Sequence, residues 1–178
     1  NGFLYLKKEN LQLLEIGLGT GLNVLLTKLF SDKLQLTTTY EAIEYYPLKK
    51  EEYSRLNFAE ITNTNPYDFI KIHQAEFNKT YKLSEYFFLK KKKQDILSYK
   101  LIKKYDLIFF DVFAPNKQPD IWSEKILKKM YSCLKKDGVL VTYCSKGVIK
   151  RRLKSIGFEI EILEGPPGKR EMIRANKK

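Results

Sequence analysis

At 178 residues the chain is the length of one domain, residues 1–178, with room for a substantial core. Its hydrophobic content of 43% is that of a globular protein. No apolar run nears the roughly 20 residues of a membrane span, and no signal-peptide pattern is visible, so neither membrane nor secretory pathway is expected. The net charge is +12, yet only five of the 33 basic residues are arginine (Arg55, Arg151, Arg152, Arg170, Arg174). So strong a lysine skew reads equally as genome composition or as attraction for polyanions such as nucleic acid. Cys133 and Cys144 are too few for a disulfide framework and lack metal-ligand spacing, which suits a reducing, cytoplasmic setting and no metal. The chain begins with Asn1 and so reads as a processed form or a fragment.

In chain order, Leu13–Ile16 is a short apolar strand that runs into Gly17, Gly19 and Gly21, and NVLLTKLF continues as a helix. That is the first βα unit of an open α/β sheet, with glycines where the backbone must turn sharply or admit a ligand. Leu34 to Glu44 is rich in β-branched and aromatic residues and reads as the second strand. Pro47 suits the first turn of a helix through LKKEEYSRLNFAEI. From Thr62 to Lys82 the pattern is weak; His73, the single histidine, falls here without ligand or nucleophile partners and reads as structural. Leu83 to Leu97 holds a third strand, with Lys90–Lys93 as a solvated edge or turn. Tyr105 to Pro115 is the clearest buried strand, closed by Asp111. Ser123-Glu124 opens a helix that Asp137-Gly138 ends, and VLVTYCS is the fifth strand. Lys146 to Ile156 is a basic helix stopped by Gly157, before a closing strand pair joined by residues 165–168.

The glycine loop decides between ligands. A dinucleotide fingerprint from Gly17 needs a small residue where Leu22 stands, and no Gly-Lys-Ser/Thr follows for a phosphate loop. What remains, Glu15-x-Gly17-x-Gly19-x-Gly21, resembles the first motif of class I S-adenosylmethionine (SAM) methyltransferases. The resemblance implies a Rossmann-like class I methyltransferase fold, α/β, with a seven-stranded mostly parallel sheet and helices on both faces. It also implies that Glu15, Gly17, Gly19, Thr20, Gly21 and Asn23 face the cofactor. Glu44, 23 residues beyond Gly21, then sits where a carboxylate accepts both ribose hydroxyls. Tyr45 is placed to pack on the adenine, and Asp95 to face its amino group.

Later segments narrow the likeness. Asp111-Val-Phe-Ala-Pro-Asn-Lys-Gln-Pro-Asp-Ile-Trp122 resembles the D-G-F-A-P-x-x-N-P-D-M-W segment of the methyltransferase domain of the MnmC family, which matures 5-aminomethyl-2-thiouridine at the tRNA wobble position. Leu14–Asn23 is similar to that family's L-E-I-G-F-G-T-G-L-N, Glu44–Leu48 to its E-K-Y-P-L, and residues 165–172 to its G-F-G-x-K-R-E-M. Val112, Gln118 and Pro166-Pro167 depart from the pattern around the substrate entrance. The likeness implies a SAM-dependent N-methyltransferase acting on a primary amine of tRNA. Asp111 would bind cofactor and orient the amine, as the one catalytic residue. Phe113, Pro115, Pro119, Asp120 and Trp122 would form the substrate wall, with Trp122 either stacked on the uracil or, as a lone tryptophan more often is, part of the core. Lys169 and Arg170, beside Lys146, Lys150, Arg151 and Arg152, would meet anticodon-loop phosphates or, equally, form a solvated helix face. The bifunctional members carry an FAD-dependent oxidase that 178 residues could not supply, so a separate oxidase acting upstream is the implied partner. The alternatives are a methyltransferase for a small-molecule or protein amine, and a SAM- or RNA-binding module without catalysis.

Overall fold

Residues 8–165, 168 and 170–178 are described in the structure, a computed structural model. Its centre is β1 (Asn10–Ile16), paired in parallel with β2 (Thr37–Glu44) on one side and β5 (Tyr105–Phe110) on the other. A strand paired at both edges and covered on both faces has almost no polar position, which is why LQLLEI reads as an apolar run. β3 (Thr80–Lys82), β4 (Phe87–Lys93), β6 (Leu134–Thr142), β7 (Glu159–Glu164) and β8 (Glu171–Asn176) complete a sheet ordered β3-β4-β2-β1-β5-β6-β8-β7. The chain winds outward from β1 through β2 to β4, then returns to β5 and winds the other way. The crevice between the carboxyl ends of β1 and β5 is therefore a topological switch point, where such sheets bind ligands.

Alternation divides the core in two. Leu11 and Leu13 of β1 pack on one face with Val24 and Leu25 of α1 (Leu22–Leu34) and Phe69 and Ile72 of α4 (Pro66–Gln74). Leu14 and Ile16 pack on the other with Leu127 and Met130 of α5 (Glu124–Cys133) and Leu153 of α6 (Gly147–Ile156). Helices thus cover both faces, as expected.

Several details differ from the sequence reading. The sheet has eight strands rather than seven, because Thr80–Lys82 folds back antiparallel on β4. The helix expected after Pro47 is two short ones, α2 (Lys50–Tyr53) and α3 (Phe58–Ile61). The weak stretch holds α4, whose start is well signalled: the Asn65 side chain accepts from Tyr67 N at 3.0 Å and Pro66 occupies the first turn. Lys90–Lys93 is neither edge nor turn but lies in β4, between β3 and β2. Lys91 takes the inward side of that strand after Phe87 and Leu89; its ammonium donates to His73 O at 2.6 Å and lies 4.9 Å from the Phe77 ring centre. Burial pulls its pKa down to about 8. Asp137-Gly138 does not end α5, which stops at Cys133; it is an irregularity inside β6, with Asp137 at φ 59° and a register shift against β5.

Candidate active site

Two backbone hydrogen bonds stitch the carboxyl ends of the central strands together. Gly17 N donates to Ile43 O at 3.0 Å, and Asp111 N donates to Ile16 O at 3.2 Å. Between them the glycine loop runs with φ of 85°, 50° and 77° at Gly17, Gly19 and Gly21, a region that favours glycine. The three glycines serve different ends. A Cβ on Gly17 would lie 2.6 Å from Asp111 O, and one on Gly21 would lie 3.1 Å from His73 Nε2, so both allow tight packing. A Cβ on Gly19 would meet nothing within 4 Å; it would enter the open cavity above the loop.

That cavity has a volume of about 630 Å³, within the usual range for a cofactor site. The glycine loop and Thr20 form its floor, Glu44, Tyr45 and Asp95 one end, and Asp111, Phe113, Pro119 and Asp120 the other. Four carboxylates against Lys117 make it acidic, in a protein of net charge +12. Such a lining suits a ligand carrying positive charge and hydroxyls, and disfavours phosphates. The bare loop backbone, the carboxylates and the volume all fit S-adenosylmethionine, whose sulfonium and amino group are cationic.

Hydrogen bonding orders the acids. Glu44 Oε2 accepts from Gly19 N at 3.0 Å and Oε1 from Tyr46 N at 2.7 Å, so this carboxylate holds the loop as well as facing the cavity. The Asn23 amide donates to Glu15 Oε1 at 2.8 Å and to Asp111 Oδ2 at 2.9 Å, tying α1 to the ends of β1 and β5. Glu15 is buried beneath the loop, and among the described residues its Oε2 has no partner at hydrogen-bond distance. Burial pushes its pKa up to about 8, partly opposed by Asn23 and Tyr40, with the Asp111 and Glu44 charges adding to the rise. The neighbouring Tyr40 hydroxyl is likewise buried, and burial, with the Glu15 carboxyl beside it, raises its pKa well above the usual phenol value. Asp95 Oδ1 accepts from Leu97 N at 2.9 Å, and Tyr45 stands half exposed against the edge of Tyr46.

The structure therefore brings Gly17, Gly19, Thr20, Glu44, Tyr45, Asp95 and Asp111 to one cavity, with Glu15, Gly21 and Asn23 supporting it from below. Of the expected substrate wall, Phe113, Pro119 and Asp120 line the same cavity, and Pro115 stands off it. Trp122 does not offer a stacking face. It is 1% exposed, set edge-on to Phe110 at 5.0 Å, and its Nε1–H donates to Phe113 O at 2.7 Å. A ring so enclosed holds the Phe113 loop from behind, and Phe113, 72% exposed, is the open aromatic at this end. Among the expected phosphate contacts, Lys150 pairs with Glu171 at 2.9 Å and Arg152 donates to Trp122 O. Lys146, Arg151 and Arg170 remain exposed, and Lys169 lies outside the described residues.

His73 has a part that its sequence context did not signal. Its Nε2 lies 3.1 Å from Thr20 O, and its ring stacks on Tyr53 at 4.5 Å and meets Phe69 edge-on. Burial lowers its pKa, which favours the neutral ring. The contact links positions 53 residues apart, so no local pattern could show it. No helix among the described residues is long and apolar enough to cross a membrane, and no group of three or more metal-binding side chains occurs among them.

Known proteins resemble this chain in sequence and in fold. Residues 56–178 match the family described as S-adenosyl-L-methionine-dependent methyltransferase. Over 98% of its length the chain is 31% identical to the tRNA 5-methylaminomethyl-2-thiouridine biosynthesis bifunctional protein MnmC of Campylobacter jejuni. Over 89% it is 28% identical to the protein of that name from Pseudoalteromonas translucida. It spans only 30% and 27% of those relatives' lengths. In fold it is similar to MnmC2 from Aquifex aeolicus, with a TM-score of 0.70 at 21% identity, covering 97% of this chain and 54% of that one. It is also similar to SAM-bound CalS10, an amino pentose methyltransferase from Micromonospora echinaspora, with a TM-score of 0.59 at 12% identity, covering 94% of this chain and 84% of that one. Since the family match takes in most of a chain already built around a glycine-floored, acidic cavity, this chain belongs to the S-adenosyl-L-methionine-dependent methyltransferases, with S-adenosylmethionine as its cofactor and MnmC proteins among its relatives.

Proposed function

We propose that this enzyme methylates the primary amine of 5-aminomethyl-2-thiouridine at the tRNA wobble position, giving 5-methylaminomethyl-2-thiouridine. The observation that carries this reading is the likeness to MnmC proteins along nearly the whole chain, including the segment from Asp111 to Trp122. In this reading Glu44 takes the ribose hydroxyls, Tyr45 and Asp95 flank the adenine, and the loop backbone at Gly17 to Gly21 bears the amino-acid end. When bound, the cofactor supplies a methyl group whose carbon bonds to the amine nitrogen as the carbon–sulfur bond breaks, the electron pair staying on sulfur and the surplus proton of the new ammonium passing to solvent.

The chain's own task is positioning, with reacting atoms held about 3 Å apart. The amine must also be neutral. For an amine of pKa about 10, neutrality at pH 7 costs roughly 4 kcal/mol. Asp111 favours the ammonium form, so its part is to capture and orient the amine and pass a proton to water. Asp111→Asn is expected to lower the transfer rate by about a hundredfold at saturating cofactor. Near-normal turnover with intact cofactor binding would contradict this role.

The competing reading, another amine acceptor, separates in a direct comparison. The protein is incubated with methyl-labelled cofactor and, in parallel, tRNA carrying the aminomethyl group, a polyamine, and a lysine-rich protein. Label confined to the tRNA supports the proposal; label in either other acceptor and none in tRNA overturns it.

A further inference from the structure

A second cavity, of about 160 Å³, opens on the other side of Asp111. Leu26 and Phe30 of α1 form one wall, Phe109 and Tyr143 the sheet side, and Met172 of β8 the end. Asp111 lines both cavities, and Asn23, bonded to it at 2.9 Å, lines the smaller one. The carboxylate at the end of β5 is thus the partition between two spaces. If the large cavity holds the cofactor, the acceptor must reach the methyl carbon from the side opposite the departing sulfur. The Phe113–Asp120 wall belongs to the large cavity and would stand beside the cofactor rather than across from it.

We propose that the smaller cavity is the acceptor site, and that it seats a single pyrimidine ring whose aminomethyl arm points at Asp111. The volume is that of about five water molecules, enough for one six-membered ring and too little for a stacked purine pair or a folded peptide. Its walls are what an unstacked base prefers: aromatic faces from Phe30 and Phe109 and a polarizable thioether from Met172. Phe30, 40% exposed, stands at the mouth, where an incoming base would first make contact. Tyr143 and Thr142 supply hydroxyls for the ring's polar edge. The site thus selects by shape and by a terminal carboxylate, and moves base recognition from the Trp122 segment to α1, β6 and β8. The assignment rests on the methyltransferase reading above.

The chain has two methionines, so methyl-labelled methionine gives one NMR signal from Met172 in the cavity and one from Met130 in the α5 core. The protein, saturated with S-adenosylhomocysteine, is titrated with free 5-aminomethyl-2-thiouridine nucleoside. The Met172 signal is expected to move while that of Met130 stays, with no displacement of S-adenosylhomocysteine. A Met172 signal unmoved at millimolar nucleoside, or nucleoside competing with S-adenosylhomocysteine, overturns the assignment. Leu26→Trp, which fills the cavity from α1, is expected to cut kcat/KM for tRNA at least tenfold with S-adenosylhomocysteine affinity unchanged; normal transfer by this variant also overturns it. Transfer to tRNA by the wild type with Met172 silent would remove the acceptor cavity and leave the reaction standing. A moving Met172 signal without transfer to tRNA would do the reverse.

Discussion

Burial lifts the Glu15 carboxyl to about 8, so near neutrality the native protein keeps a proton there that the unfolded chain releases above about 4.5. The native state then binds more protons than the unfolded one between those values, and stability falls as pH rises through that window, by up to roughly 1.4 kcal/mol per unit. Glu15→Gln removes the titration, retains an acceptor for Asn23 and adds a donor toward Tyr40. Thermal unfolding of wild type and Glu15→Gln is therefore expected to diverge from pH 5 to 8 in favour of the variant, and to run parallel above pH 8. A constant difference across the range would contradict this titration. Trp122 yields a second expectation. A core tryptophan replaced by alanine costs about 3–5 kcal/mol, so Trp122→Ala should lower Tm by several degrees in the absence of any RNA. A tryptophan that served only to stack on a base would leave Tm unchanged and raise KM for tRNA alone.

The glycine loop works as an element because its residues answer to different neighbours. Gly17→Ala would drive a Cβ into the Asp111 carbonyl at a φ of +85°, displacing the carboxylate partition itself. Calorimetry is expected to show at least a tenfold weaker cofactor, about 1.4 kcal/mol, and transfer should fall further still. Gly19→Ala meets no protein atom, so its loss should come from the left-handed backbone, roughly 1–2 kcal/mol, and from methyl intrusion on the ligand. Much of this element was legible in the sequence. A buried strand, three glycines at its end and Glu44 at the tip of the next strand follow from local pattern and chain order. What was not legible depends on distant packing. The Lys90–Lys93 run reads as solvated because charge run and alternation compete, and only β3 outside it and the His73 carbonyl beneath it make an inward lysine tolerable. The motif leaves Trp122 open between platform and core, and its enclosure by Phe110 and the Phe113 carbonyl, which decides for the core, is tertiary. The small cavity draws on α1, β5, β6 and β8 together, and no single stretch announces it.

Across the whole molecule the charge is arranged in two ways. The cavity is acidic and suits a cationic cofactor, while the exposed Lys146, Arg151 and Arg170 lie toward the carboxyl edge of the sheet. Neutralising these three together is expected to weaken tRNA association and to flatten its dependence on salt, by about one unit of slope for each phosphate that the protein ceases to neutralise. Cofactor affinity should not change, since the large cavity contains none of them. An unchanged salt slope would place the RNA on another face. The cofactor cavity and the likeness to MnmC proteins support one proposed reaction, and the labelled nucleoside tests it most directly. Total tRNA arrested at the aminomethyl stage is incubated with the protein and methyl-labelled S-adenosylmethionine, digested to nucleosides and separated by liquid chromatography with mass detection. Label is expected in 5-methylaminomethyl-2-thiouridine, and its appearance about a hundredfold slower with Asp111→Asn. Label in any other nucleoside, or none while the protein binds its cofactor normally, would contradict the proposed reaction.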